Sequence, residues 1–125
     1  MSLIDDIATD LTNAGLGNVG INIYKSHLPD NDTEAIAVLD TGGVEPDKYI
    51  TAMDNPTFQI IVRANNYSDG KSRIDTVKSR LHGRANVTLG STYFYFIHAQ
   101  AEPGHIGRND RGQDEFSINF IAKTR

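Results

Sequence analysis

The sequence predicts an α+β fold: a single mixed or mostly antiparallel sheet of about five strands, with two amphipathic helices packed on it. Three observations predict it. Two segments carry apolar residues at helical spacing, one near the start of the chain and one past its middle. Five others alternate apolar and polar residues, or run apolar for five or more positions, and read as strands. The order is helix, strand, strand, strand, helix, strand, strand, which is not the strict alternation of a parallel α/β sheet.

Ser2 is a candidate N-cap, and Asp5 and Asp6 favour the positive end of a first helix. Leu3, Ile4, Ile7, Ala8, Leu11 and Ala14 recur on one face, and Gly15 can stop the helix. The first helix is predicted over 3–14. Val19, Ile21 and Ile23 alternate with Gly20, Asn22 and Tyr24, a half-buried strand. Ala35 to Leu39 is a short apolar run suited to a strand buried on both faces. Thr57 to Asn65 places Phe58, Ile60, Val62 and Ala64 on one face. Ser68 can cap a second helix over 69–82, with Ile74, Val77 and Leu81 as its stripe and Gly83 as its stop. Thr92 to Ala99 alternates Tyr93, Tyr95 and Ile97 against Phe94, Phe96 and His98, so both faces have substance and a central place is expected. In the last strand, 115–123, Phe116, Ile118, Phe120 and Ala122 point one way.

The 125 residues suit one domain, 1–125, large enough to bury a core. A hydrophobic share of 38% against 22% charged argues against disorder. No run approaches the ~18 apolar residues of a membrane span, and the N-terminus has neither a basic region nor an apolar signal core. Cysteine is absent, which removes disulfides and thiolate metal sites. The net charge of -4 disfavours a dedicated nucleic-acid binder, which needs a concentrated basic face. Lys71, Arg73, Lys78, Arg80 and Arg84 do cluster, but as the solvated side of the second helix.

Two segments are left without regular structure, 40–56 and 100–114. Loops of this length are uncommon in a small domain and tend to be functional or ordered by a partner. Within them, Asp40, Thr41, Gly42, Gly43, Asp47, Lys48, Tyr49, Arg108 and Asp110 are the candidate subunit or partner interface residues. Both loops are expected to be mobile in a lone subunit and ordered in an assembly.

Asp40-Thr41-Gly42, following Ala37-Val38-Leu39, resembles the active-site triplet of retroviral-type aspartic proteases. Those enzymes pair one aspartate from each subunit of a dimer around a shared proton. His105-Ile106-Gly107-Arg108-Asn109 resembles a later segment of the same family. Against it stand the two helices, the turn-like Asn109-Asp110-Arg111-Gly112 where that family opens a helix, and the lack of a glycine-rich flap hairpin. The bland reading of Asp40 is a strand-end turn residue.

Other strings carry less. Gly15-Leu16-Gly17-Asn18-Val19-Gly20 has the dinucleotide spacing, but a helix precedes it and a strand follows, the reverse of what phosphate binding needs. Asp30, Asp32 and Glu34 lack the glycine and distal glutamate of a calcium loop. His27, His82, His98 and His105 have no metal-ligand spacing, and no cofactor is expected.

An ordered set of segments resembles the tail completion proteins of tailed phages, also called minor capsid proteins or tail terminators. It comprises the Leu3-Ile4-Asp5-Asp6-Ile7-Ala8 helix, Asn22-Ile23-Tyr24, Leu28-Pro29-Asp30, Asp40-Thr41-Gly42-Gly43 and Pro46-Asp47-Lys48-Tyr49. It continues through Pro56-Thr57-Phe58-Gln59-Ile60-Ile61-Val62-Arg63, Leu81-His82-Gly83, Gly107-Arg108 to Gly112, and Phe116-Ser117-Ile118-Asn119-Phe120. Asn109-Asp110 departs from the acidic pair expected there. The resemblance implies a structural virion protein with no active site. Its implied role is a hexameric homo-oligomeric ring at the head-proximal end of the tail. That ring would end growth of the tail tube protein, bind the head-tail connector (stopper) protein, and let DNA pass without specific binding. Assembly would take place in the host cytoplasm. The alternative is the homodimeric protease using Asp40.

Overall fold

The computed structural model describes residues 3–17, 22–26, 28, 34–42 and 54–125. Among them run α1 (Leu3–Asn13), β1 (Ile23–Lys25), β2 (Ala35–Asp40), β3 (Thr57–Ala64), α2 (Tyr67–Leu81), β4 (Arg84–Leu89), β5 (Thr92–Ala99), β6 (Gly104–Arg108) and β7 (Asp114–Thr124). The strands form one sheet in the order β1-β2-β3-β7-β5-β4, with β6 also beside β7. Only β1 and β2 are parallel. The α+β class and the mixed sheet agree with the sequence reading, but the strands number seven rather than about five.

Both helices cover one face of the sheet. Ile7 and Leu11 of α1 and Ile74, Val77 and Leu81 of α2 join Phe58, Ile60, Val62, Phe116, Ile118 and Phe120 in a single apolar cluster. All eleven are 2% exposed or less, as the alternation predicts. α2 lies across β3, β7 and β5, while α1 touches β1 and β2 and also β4. The sheet therefore curls around its helices.

Local chemistry sets the helix ends. Leu16 donates to Leu11 O at 3.2 Å and Gly15, at φ 83°, donates to Thr12 O at 3.0 Å. That is the paired bonding that closes a helix through a left-handed residue. α2 starts two residues before its predicted start, because its cap is Asn66 and not Ser68. Asn66 Oδ1 accepts from Asp69 N at 2.8 Å, and Asn66 Nδ2 donates to Asp69 Oδ2 at 3.0 Å. Ser68 lies inside the first turn. Gly70 lets α2 approach the sheet: a Cβ there would sit 2.4 Å from the Phe116 ring.

β4 and β6 were not predicted. β4 is an edge strand with little inward substance, only Leu89 being buried. Its turn, Gly90-Ser91, was a readable hairpin signal. β6 crosses the segment 100–114, where the sequence pattern predicts a loop. Its Gly104 and Gly107 supply no side chain to a periodicity. β5 also breaks the predicted alternation. Its register with β7 shifts between Phe94 and Phe96, and the bulge turns both Phe94 and Ile97 into the core. The strand expected over 19–24 is observed at Ile23–Lys25, and Val19 and Ile21 lie outside the described residues.

Candidate assembly surface

Asp40, Thr41 and Gly42 form the exposed end of β2. Asp40 Oδ1 accepts from Gly42 N at 2.7 Å, and Thr41 N donates to Thr57 O at 3.2 Å. The hydroxyls of Thr41 and Thr57 lie 2.7 Å apart. This is a side-chain-closed turn with φ 94° at Gly42, so Asp40 has the geometry of the strand-end turn residue. Gly43, Asp47, Lys48 and Tyr49 lie outside the described residues, as do Asp30 and Asp32.

Arg108 ends β6, and Asp110 lies in the turn that joins β6 to β7. Asn109 builds its turn: Asn109 N donates to Gln113 O at 2.8 Å, and Asn109 Oδ1 accepts from Arg111 N and Gln113 N at 3.0 Å each. The predicted turn at 109–112 is present. Where the aspartic proteases open a helix, this chain has strand and turn.

The two groups do not converge. Asp40 is the register partner of Phe58, whereas Asp114, the partner of Arg108, faces Ala64. Six residues along β3, at ~3.3 Å each, separate them by about 20 Å along the strand direction, at opposite ends of the sheet.

The basic cluster is ion-paired. Lys71 meets Asp75 at 3.0 Å, Arg73 meets Glu34 at 3.3 Å, and Lys78 meets Glu102 at 2.7 Å. Arg80 and Arg84 share Asp10 at 2.8 and 2.9 Å. The Asn65 amide, with Arg73, holds the Glu34 carboxyl below its ordinary value. A face neutralised in this way has little charge left for phosphates.

Sequence reasoning missed three buried carboxylates. Asp6, read as a helix-dipole residue, is 1% exposed and accepts from the Thr92 hydroxyl and from Ser91. Gly90 makes room for it, since a Cβ there would lie 2.0 Å from Asp6 Oδ1. Asp10 joins α1 to α2 and β4. Asp114 holds the β6 hairpin. Their signal was weak: Asp6 and Asp10 sit four apart, beside the apolar stripe.

Two clefts of about 90 and 110 Å³ are lined by Leu16, Asn22, Glu34, Ala35, Ile36 and Arg73, and by Asp6, Thr9, Asp10, Asn13, Thr88, Leu89 and Gly90. Both are small beside the ~300–1,000 Å³ of ordinary ligand sites. Among the described residues, no cluster of three or more metal-ligating side chains occurs, and no helix is long and apolar enough to cross a membrane.

Asp40→Asn is expected to change unfolding free energy by less than ~0.5 kcal/mol, because the amide oxygen can still accept from Gly42. Urea unfolding checks this, and a loss above ~1.5 kcal/mol would mean that Asp40 has a further structural role.

The search of curated proteins returned no match. Among solved structures, the chain resembles one from the virion of a native gene transfer agent particle. The TM-score is 0.72 and the identity 16%, over 98% of this chain and 94% of that one. At that identity the likeness is one of fold. Residues 11–125 match the family described as bacteriophage tail terminator protein. That family consists of structural virion components rather than enzymes, which removes the protease alternative for Asp40. The chain belongs to the bacteriophage tail terminator family and is a structural tail protein of a phage-like particle.

Proposed function

We propose that residues 1–125 act as one tail-terminator domain that assembles into a hexameric ring at the head-proximal end of the tail. The ring ends polymerisation of the tail tube protein and presents the surface that receives the head-tail connector. DNA passes through it without specific binding. Assembly takes place in the host cytoplasm.

The family match over 11–125 carries this reading. The sheet geometry supports it. A terminator must meet two different partners, one on each side of the ring. The Asp40 turn and the Arg108–Asp110 turn stand at opposite ends of the sheet, so one subunit can offer two unlike rims. A ring is built from heterologous contacts, so the two rims and the two flanks need not resemble one another. Asp40, Thr41, Gly42, Gly43, Asp47, Lys48, Tyr49, Arg108 and Asp110 are assigned to these contacts. Charges at such rims set orientation and encounter more than affinity.

Two measurements test the reading. Native mass spectrometry is expected to give a hexamer, and depletion of the protein during particle assembly is expected to give overlong tails that fail to join heads. A monomer at all concentrations, together with tails of normal length after depletion, would sink it. Asp110→Lys, on the exposed turn, should lower the yield of joined particles and leave the melting temperature of the lone chain within ~2 °C.

A further inference from the structure

We propose that β6 is a detachable edge arm, held in the sheet by a clamp on the buried Asp114 and able to open as a unit while the rest of the fold stays intact. This proposal stands independently of the ring.

β6 pairs with β7 alone, along residues 114–117. Four of its five residues are exposed and the fifth, Gly107, is half-buried. It therefore contributes little apolar burial. Its side-chain attachment is concentrated at one point. Asp114 is 2% exposed, and its two carboxylate oxygens face His105 Nε2 at 2.9 Å and Arg108 Nη2 at 3.4 Å.

His105 and Arg108 are three positions apart. In a regular strand that spacing puts side chains on opposite faces. Here the register shifts between His105 and Gly107, leaving Ile106 as the extra residue. His105 then stands opposite Phe116 and Arg108 opposite Asp114, both on the helix-covered face. The bulge thus brings both donors to one carboxylate. The His105 ring rests on Phe116 at 4.9 Å and on Tyr67 of α2 at 5.2 Å. Tyr67 and Ile106 are the exposed large apolar side chains among the described residues; Ile106 belongs to this arm and Tyr67 lies against it.

The groups facing Asp114 are His105 and Arg108 from β6. Tyr67 from α2 packs its ring against His105 and Phe116. Its β3 neighbour, Ala64, brings no charge, and Arg63 and Glu115 sit at positions of opposite parity. Burial pushes the Asp114 carboxyl up, but the bonds from His105 and Arg108 outweigh it and hold the group below its ordinary value. A lowered value in the folded arm means that the clamp acts in full above the ordinary carboxylate range. It is lost as pH falls through the folded value.

Native-state hydrogen exchange on the full chain tests the arm. At neutral pH, β6 amides are expected to exchange at least ~10-fold faster, after correction for intrinsic rates, than those of Phe58 to Val62. Asp114→Asn should speed β6 by a further ~10-fold and leave Phe58 to Val62 and Phe94 to Ile97 unchanged. Arg108→Gln, at a side chain 64% exposed, should give the same pattern with smaller amplitude. Protection of β6 equal to that of β3 in the unaltered protein would overturn the proposal. So would acceleration by Arg108→Gln spread evenly over the sheet.

Discussion

Phe120→Ala is expected to destabilise the protein by ~3–5 kcal/mol, the usual cost of removing a fully buried aromatic ring. Phe120 has no exposed surface and stands in the middle of β7, opposite Phe58 of β3. The two rings stack at 5.1 Å with 15° between their planes. On the other side β7 meets β5, where Ala99 faces Phe120. The site is thus enclosed by strands on two sides and by the helix layer above, and these can close a cavity only by moving together. The loss therefore combines transfer energy with an unfilled void. Phe120→Leu should recover more than half of it by keeping most of the volume. Urea unfolding of the lone chain measures both. A change below ~1 kcal/mol for the alanine variant would mean that the inward face of β7 is wrongly identified.

That inward face was legible in the sequence because hydrophobicity alone writes it. Phe116, Ile118, Phe120 and Ala122 alternate without a break, and so do Phe58, Ile60 and Val62. The two helices were equally plain, from the spacing of Ile7 and Leu11 and of Ile74, Val77 and Leu81. What escaped was structure made by backbone pairing and polar chemistry. β6 has almost no apolar inward side chain, so its existence depends on the free edge of β7 and on the carboxylate of Asp114. The β5 bulge shifts parity inside a run of aromatics, where either face would have satisfied the pattern. The cap at Asn66 lies next to a run of equally good cap residues. Of the candidate interface, the Asp40 turn could be read from its own residues. Arg108 reads from the sequence as a loop charge facing a partner. Its bond to Asp114 depends on a bulge that no local pattern announces.

Asp10→Ala is expected to cost ~2–3 kcal/mol, slightly less than breaking a fully buried ion pair. Asp10 is 4% exposed and ties together three elements. Oδ1 accepts from Arg80 Nη2 at 2.8 Å, and Oδ2 accepts from Arg80 Nε at 3.1 Å and Arg84 Nη1 at 2.9 Å. The two-pronged Arg80 contact fixes α1 against the last turn of α2, and the Arg84 contact fixes it against β4. Fork-on-carboxylate geometry of this kind is the strong form of a charged hydrogen bond. Removal of the carboxylate leaves two guanidinium groups close together without their shared counter-charge. Their side chains are 38% and 24% exposed, so water takes up part of that charge and the loss stays below the fully buried limit. Arg80→Ala alone should cost less, ~1 kcal/mol, because Asp10 keeps Arg84. In the Asp10→Ala/Arg80→Ala double variant the losses should fall short of their sum, since the lost bond is counted in both single variants and the repulsion that Asp10→Ala leaves disappears once Arg80 is also removed. Urea unfolding of the four species gives the cycle. Strict additivity, or an Asp10→Ala loss under ~0.5 kcal/mol, would mean that Ile7 and Leu11 dock α1 unaided and that Asp10 is a passenger at the helix junction.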